Sequence, residues 1–178
     1  MPTVSSPQRL GANISIICAI TSSPLWAAAP GSIPPNGRPA SPDAYGNFTA
    51  AVAARYKGKI AAYEIWNEPN GIFGYRPVPD PSGYTDLLKA AYPKIKAVDP
   101  SVTILGGVLG SGKSWSTWTI NPVTFLTKMY AAGAGPYFDA LSYHPYSYTM
   151  KFSEGGMYQS DSPGRAVGAA PSAHVGQQ

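Results

Sequence analysis

Residues 60–70 read Ile60-Ala61-Ala62-Tyr63-Glu64-Ile65-Trp66-Asn67-Glu68-Pro69-Asn70, an apolar run followed by a carboxylate between an asparagine and a proline. The run 60–67 predicts a buried strand, and the strand must stop at Pro69 because proline has no N–H to donate to a sheet ladder. Glu68 is therefore expected at the carboxyl end of a strand, where parallel α/β folds keep their chemistry. A carboxyl partly desolvated beside Trp66 is expected to have a raised pKa and to donate a proton near neutral pH.

Strands and helices alternate on both sides of this stretch. Apolar runs predict further strands, and segments with helical spacing and capping residues predict the helices between them. This order predicts an α/β fold with a parallel sheet and right-handed crossovers, although four strands do not close a barrel. The further predicted strands are 14–20, 102–105 and 137–143, and the predicted helices are 41–58, 84–98 and 121–133.

Composition narrows the class of protein. At 178 residues the chain has room for one good core, and its charged fraction of 12% is low. The net charge of +4 comes from scattered lysines and arginines, so no nucleic-acid partner is predicted. The longest apolar stretch is too short to span a bilayer, and no clear signal peptide precedes it, so localisation stays open.

Two further features concern the cysteine and histidine content and the C-terminal segment. Cys18 is the only cysteine, which excludes an intrachain disulfide, and the two histidines, His144 and His174, are too far apart in sequence to indicate a metal site.

From Gln159 onward Ser, Gly, Ala, Pro and Gln dominate. We therefore expect a folded domain over 1–158 and a disordered tail over 159–178.

The segment from Tyr63 to Asn70 resembles the acid/base strand of clan A glycoside hydrolases, the retaining enzymes with a (β/α)8 fold. Pro24-Leu25-Trp26 resembles the end of the third barrel strand, and residues 138–146 resemble the end of the sixth. The resemblance is closest to family 39, the β-xylosidase and α-iduronidase type. It implies a partial TIM barrel of about four βα units, covering barrel strands three to six.

By this resemblance Glu68 is the general acid/base, which protonates the leaving glycosidic oxygen and then deprotonates the incoming water. Asn67 would hold the sugar 2-hydroxyl. The implied substrate is an oligosaccharide or other glycoside, and no cofactor or metal is implied. The remaining residues implied in substrate binding are His144 and Tyr146, which would orient groups at the rim, and Trp26 and Trp66, which would offer apolar faces to sugar rings.

A retaining mechanism also requires a nucleophile, a second carboxylate roughly 5 Å from the acid. The resemblance places it at the end of the seventh strand. The only glutamates besides Glu68 are Glu64 and Glu154. Glu64 shares the face of Glu68 by strand period two but lies deeper, so we expect a structural, hydrogen-bonded carboxylate. Glu154 follows the strand 137–143 too closely for a crossover helix to intervene.

The nucleophile is therefore expected to be absent from this chain, which would form about half of a barrel. Such a half barrel leaves sheet edges open, and this predicts self-association or pairing with a complementing barrel segment. The isolated chain could accordingly be a glycosidase or a non-catalytic, degenerate carbohydrate-binding fragment.

Residues 107–114, Gly107-Val108-Leu109-Gly110-Ser111-Gly112-Lys113-Ser114, formally match the phosphate-binding loop of nucleotide-binding proteins. That loop requires a helix to begin at Lys113, so that backbone N–H groups face the phosphates. The β-branched and aromatic residues that follow do not favour a helix there. We therefore interpret the segment as a glycine-rich loop after a strand, with nucleotide binding as the less favoured alternative.

Overall fold

The computed structural model describes residues 14–33 and 35–145, which form a parallel β-sheet with helices packed against it. Tyr146, Glu154 and the tail 159–178 lie outside the described residues. Two short 3-10 turns, Leu25–Ala27 and Gly135–Tyr137, supplement the regular elements. In chain order these elements are β1 (Ile17–Ile20), α1 (Pro42–Tyr56), β2 (Ala62–Ile65), α2 (Pro81–Val98), β3 (Thr103–Gly110), α3 (Pro122–Ala131) and β4 (Ala140–His144).

The four described strands lie side by side in the order of the sequence, and each neighbouring pair is parallel. The register pairs Ile17 with Ala62, Ala62 with Thr103, and Leu105 with Ala140. Because successive right-handed crossovers step in one direction across the sheet, they place all the helices on one face. This is the arrangement of a barrel wall, and the carboxyl ends of the strands share one edge.

Each helix of the described part begins with a polar residue followed by proline. The polar side chain accepts a hydrogen bond from a backbone N–H of the first turn, and proline occupies the first helical position, where no N–H is needed. These caps set the residue at which each helix begins. They therefore also set the length of the loop that connects each helix to the preceding strand. The cap pairs are Ser41–Pro42, Asp80–Pro81 and Asn121–Pro122.

The hydrophobic core lies between the sheet and the helices. Tyr63 and Ile65 of β2 and Ile104 of β3 point into it, and each is at most 1% exposed. On the opposite face the strands carry half-exposed polar groups, including Glu64. The main helical contributions to the core are Tyr84, Leu87, Leu88, Ala91 and Ile95 of α2 and Phe125, Leu126 and Met129 of α3.

β3 is longer than predicted and changes the interpretation of the glycine-rich segment. It runs from Thr103 to Gly110, with a register shift against β4 between Gly107 and Leu109. Gly107 and Val108 both have positive φ, 79° and 48°, so the chain bulges here and then resumes pairing. The phosphate-loop alternative is wrong, because Gly107–Gly110 are strand and the next helix begins only at Pro122.

Within the described ranges, no helix is both long and apolar enough to cross a membrane.

Candidate active site

Glu68 lies just beyond the carboxyl end of β2, as the sequence predicted. Its backbone N–H donates to the carbonyl of Val108 in β3 at 2.9 Å, while the N–H of Trp66 donates to Ile20 of β1 at 3.1 Å. Trp66 and Glu68 have φ values of 72° and 46°, a region that non-glycine residues rarely adopt. Such strained conformations concentrate at functional sites, where the surrounding contacts hold them.

The carboxylate of Glu68 contacts His144 across β3, the strand that lies between β2 and β4. His144 ends β4, and its Nδ1 lies 3.1 Å from Oε1 of Glu68. Gly110 pairs with His144 in the sheet, and a Cβ atom at Gly110 would lie 3.0 Å from Cδ of Glu68. The absence of a side chain at this position therefore gives the two side chains room to meet across the intervening strand.

A second pair crosses β3 deeper in the sheet. The hydroxyl of Ser142 in β4 donates to Oε1 of Glu64 in β2 at 2.7 Å. Glu64 is therefore a hydrogen-bonded carboxylate below Glu68, which confirms the role predicted for it. The polar face of the sheet accordingly has two side-chain contacts across β3. Glu64 and Ser142 form the deeper, structural one, and Glu68 and His144 form the one at the carboxyl ends of the strands.

The electrostatics of the rim follow from this arrangement. The hydrogen bond from His144 to the Glu68 carboxylate raises the pKa of His144, and the negative charges of Glu68 and Glu64 add to this effect. Partial burial opposes it, since a charged imidazole is less well solvated there. The side chains of His144 and Glu68 are 22% and 29% exposed, so both can reach solvent and a bound molecule. The raised pKa expected for Glu68 itself stays a prediction.

Asn70 holds the loop of Glu68 against the neighbouring rim loop, a role that the sequence reasoning missed. Its Nδ2 donates to the carbonyls of Gly110 at 2.8 Å and Ile120 at 3.0 Å, and its Oδ1 accepts from the N–H of Gly110 at 2.9 Å. At 4% exposure, Asn70 is shielded from water that could replace these bonds. No local signal in the sequence could have indicated this role, because the partners of Asn70 lie 40 and 50 residues away.

Trp66 does not offer a face to a sugar ring, and the expectation for it is wrong. Its side chain is 0% exposed, and its Nε1 donates to the carbonyl of Gly74 at 2.7 Å. The indole makes edge contacts with Tyr45 and Tyr75 at centroid distances of 5.9 and 5.7 Å. The chain at Gly74 packs closely against the loop of Glu68, since a Cβ at Gly74 would lie 2.2 Å from the carbonyl oxygen of Glu68. The same segment accepts the hydrogen bond of the indole and covers it.

The other residues predicted to bind substrate are not buried as Trp66 is, where the structure describes them. Trp26 follows β1 and is 88% exposed. Together with Tyr45 and Phe48 it lines an apolar cavity of about 350 Å³ beside α1. Asn67 is half-buried next to Glu68. The substrate-binding roles of Trp26, Asn67 and His144 stay predictions, and Tyr146 falls outside the described residues.

The sequence reasoning also missed three exposed aromatic side chains on the loops that follow β2 and β3, namely Phe73, Trp115 and Trp118, which are 67%, 66% and 46% exposed. Their positions after predicted strands were the available signal. No cluster of metal-binding side chains occurs within residues 14–33 and 35–145.

No protein-family model matches the sequence, and no curated protein matches it. Solved structures do match the fold. A family 39 glycoside hydrolase from the gut symbiont Bacteroides cellulosilyticus aligns with a TM-score of 0.50 and 27% identity, over 70% of this chain and 24% of that one. A family 39 enzyme from Xanthomonas axonopodis pv. citri aligns with a TM-score of 0.45 and 23% identity, over 62% of this chain and 21% of that one. A family 53 catalytic domain from Ignisphaera aggregans aligns with a TM-score of 0.46 and 20% identity, over 74% and 38%.

The alignment with the Bacteroides enzyme confirms the resemblance to family 39 glycoside hydrolases in structure, and together with the parallel sheet it confirms the α/β class with a TIM-barrel relationship. The chain spans about a quarter of the length of the Bacteroides enzyme.

Proposed function

We propose that this chain supplies the acid/base half of a retaining glycoside hydrolase site, with Glu68 as the group that transfers the proton. The observation that carries the proposal is the placement of Glu68, which lies past the end of β2, is partly exposed and is paired with His144 at 3.1 Å. The similarity to the Bacteroides enzyme supports a glycoside as the substrate. Asn67 would contact the sugar 2-hydroxyl.

The proposed mechanism assigns Glu68 two tasks. As an acid it protonates the glycosidic oxygen of the departing group, and as a carboxylate it then takes a proton from the attacking water. A protonated His144 favours the carboxylate form needed for the second task, because an opposite charge stabilises it. The nucleophile that forms the glycosyl intermediate would come from outside residues 14–145, since Glu64 is engaged by Ser142.

The need for a second carboxylate makes a complementing barrel segment part of the proposal. Ile17 of β1 is 52% exposed, and β1 and β4 are the edges of the described sheet. A segment that pairs with such an edge could bring in the second carboxylate. Self-association of the chain is the other way in which these edges could be covered.

The test is turnover of nitrophenyl glycosides by the full chain, alone and mixed with the segments of a family 39 enzyme that carry strands one, two, seven and eight. We expect turnover in the mixture, and a loss of about 10²- to 10⁴-fold in Glu68→Gln, the usual size of a general acid/base contribution. Glu64→Gln is the matched control on the same face of β2. Equal rates for wild type and Glu68→Gln would refute the assignment.

The alternative function is non-catalytic carbohydrate binding by a degenerate site, which the expected absence of a nucleophile from this chain favours. Binding of oligosaccharides without turnover in any mixture would support this alternative over the enzyme.

A further inference from the structure

Two exposed indoles stand next to each other on the loop 111–121 that joins β3 to α3. Trp115 is 66% exposed and Trp118 is 46% exposed. Their ring centroids lie 5.1 Å apart, with the planes inclined at 53°. Burying a large aromatic side chain is favourable, and two adjacent indoles exposed to water forgo that stabilisation. Such an exposed apolar patch on a folded chain indicates a binding surface.

The loop holds these rings in a defined position. The N–H of Trp115 donates to the carbonyl of Thr119 at 3.0 Å, and the N–H of Trp118 donates back to Trp115 at 3.0 Å. The hydroxyl of Thr119 also donates to the carbonyl of Lys113 at 2.6 Å. This closed turn, residues 115–119, fixes the backbone under both indoles, so a ligand would order few additional bonds on binding.

The turn is attached to the loop that carries Glu68. The N–H of Ile72 donates to the carbonyl of Trp118 at 2.7 Å, and Gly71 forms an antiparallel bridge with Thr119. The N–H of Gly71 in turn donates to the carbonyl of Glu68 at 3.1 Å. The indoles are therefore linked to the acid by a short series of backbone contacts, at the same edge of the sheet.

The hydroxyl-bearing side chains of the turn occupy a different surface. Ser116, Thr117 and Thr119 line a cleft of about 350 Å³ that also includes Thr124 and Lys128 of α3, and neither indole lines it. The indoles therefore lie outside the cleft that the hydroxyl side chains of the turn line.

We propose that Trp115 and Trp118 form a subsite that stacks on a sugar ring of an oligosaccharide, on the leaving-group side of the bond that Glu68 protonates. The assignment to the leaving-group side rests on the proposed function. The C–H faces of a pyranose ring are apolar and carry slightly positive hydrogens, which suits the negative face of an indole. The leaving group takes the proton of Glu68, and this turn is attached to the loop that carries Glu68.

A single-stranded nucleic acid could also stack on exposed aromatic rings, but it requires a cationic groove for its phosphates. Lys113 is the only cation on the loop 111–121, and it provides a single charge. An uncharged ligand is therefore the better match to this surface.

Calorimetric titration of the full chain with xylotetraose, cellotetraose and methyl β-xyloside tests the proposal. We expect at least one tetrasaccharide to bind more tightly than the single-ring glycoside. Trp115→Ala and Trp118→Ala should each raise the tetrasaccharide Kd by about 2- to 12-fold, the range of one aromatic contact. Tyr56→Ala removes a partly exposed aromatic from the C-terminal end of α1, at the opposite edge of the sheet from Glu68, and should leave this Kd unchanged.

The outcomes separate this subsite from the proposed catalytic role. Trp-dependent binding that persists in Glu68→Gln supports the subsite, whether or not any turnover is found. Turnover that depends on Glu68, with the same tetrasaccharide Kd in both Trp variants as in wild type, overturns the subsite while leaving the acid/base role intact. Absence of tetrasaccharide binding to the wild-type chain, or tighter binding of an eight-residue oligothymidylate, also overturns it.

Discussion

Removing the side chain of Asn70 should detach the loop of Glu68 from β3 and lower the free energy of unfolding. Asn70→Ala deletes three hydrogen bonds, which join Asn70 to the N–H and carbonyl of Gly110 and to the carbonyl of Ile120. A net contribution of about 0.5–1.5 kcal/mol for each of the three bonds gives a loss of about 1.5–4.5 kcal/mol. The upper part of this range applies because the site is 4% exposed, so the released backbone groups are poorly solvated.

Urea unfolding followed by tryptophan fluorescence measures this loss. With a denaturant slope of about 2 kcal/mol/M, the middle of the usual range for urea, the midpoint should fall by roughly 1–2 M. Asn47→Ala is the matched control, because Asn47 makes its hydrogen bonds to Asp43 and Lys94 on the exposed surface of α1. Its effect should stay within about 0.5 kcal/mol. A loss in Asn70→Ala no larger than in this control would refute the reasoning.

Two further predictions use the proton NMR titration of the histidines. In Glu68→Gln the pKa of His144 should fall toward its ordinary value, because the carboxylate that raises it is gone; an unchanged titration would contradict the pairing. The pairing stabilises the fold while His144 is protonated and weakens as pH rises through the raised pKa, so Glu68→Gln should also flatten the dependence of stability on pH in that window. Gly110→Ala places a Cβ atom 3.0 Å from Cδ of Glu68, so the carboxyl must move and the pKa of His144 should again fall. Gly112→Ala, where a Cβ atom meets nothing within 4 Å, should leave the titration as in wild type, and equal behaviour of the two alanine variants would argue against the steric explanation.

The order of elements and the position of the acid could be predicted because both depend on local signals. Proline after a capping residue marked the starts of α1 and α3, and Pro69 marked the end of the strand that carries Glu68. The start of α2 was predicted at residue 84, whereas the helix begins at Pro81. The structural role of Glu64 followed from strand period two alone. These features need no knowledge of which distant residues come together.

The remaining features depend on tertiary contacts and could not be predicted in this way. Three glycines in β3 suggested a loop, whereas the structure uses the bulge at Gly107 to continue the strand, and Gly110 to let side chains of β2 and β4 meet. Trp66 was expected at the surface because nothing local predicts that the chain at Gly74 returns over it. The contacts of Asn70 span 40 and 50 residues, which a local pattern does not reveal.

The row of aromatic rings beneath the acid gives this protein an optical signal for the order of its core. Tyr45, Trp66, Tyr75, Tyr84 and Phe125 contact one another in succession, with centroid distances of 5.7 to 6.3 Å. Rings held rigidly in an asymmetric environment produce near-ultraviolet circular dichroism, which disappears when side-chain packing loosens even if helices persist. The near-ultraviolet band therefore reports on the packing that supports Glu68.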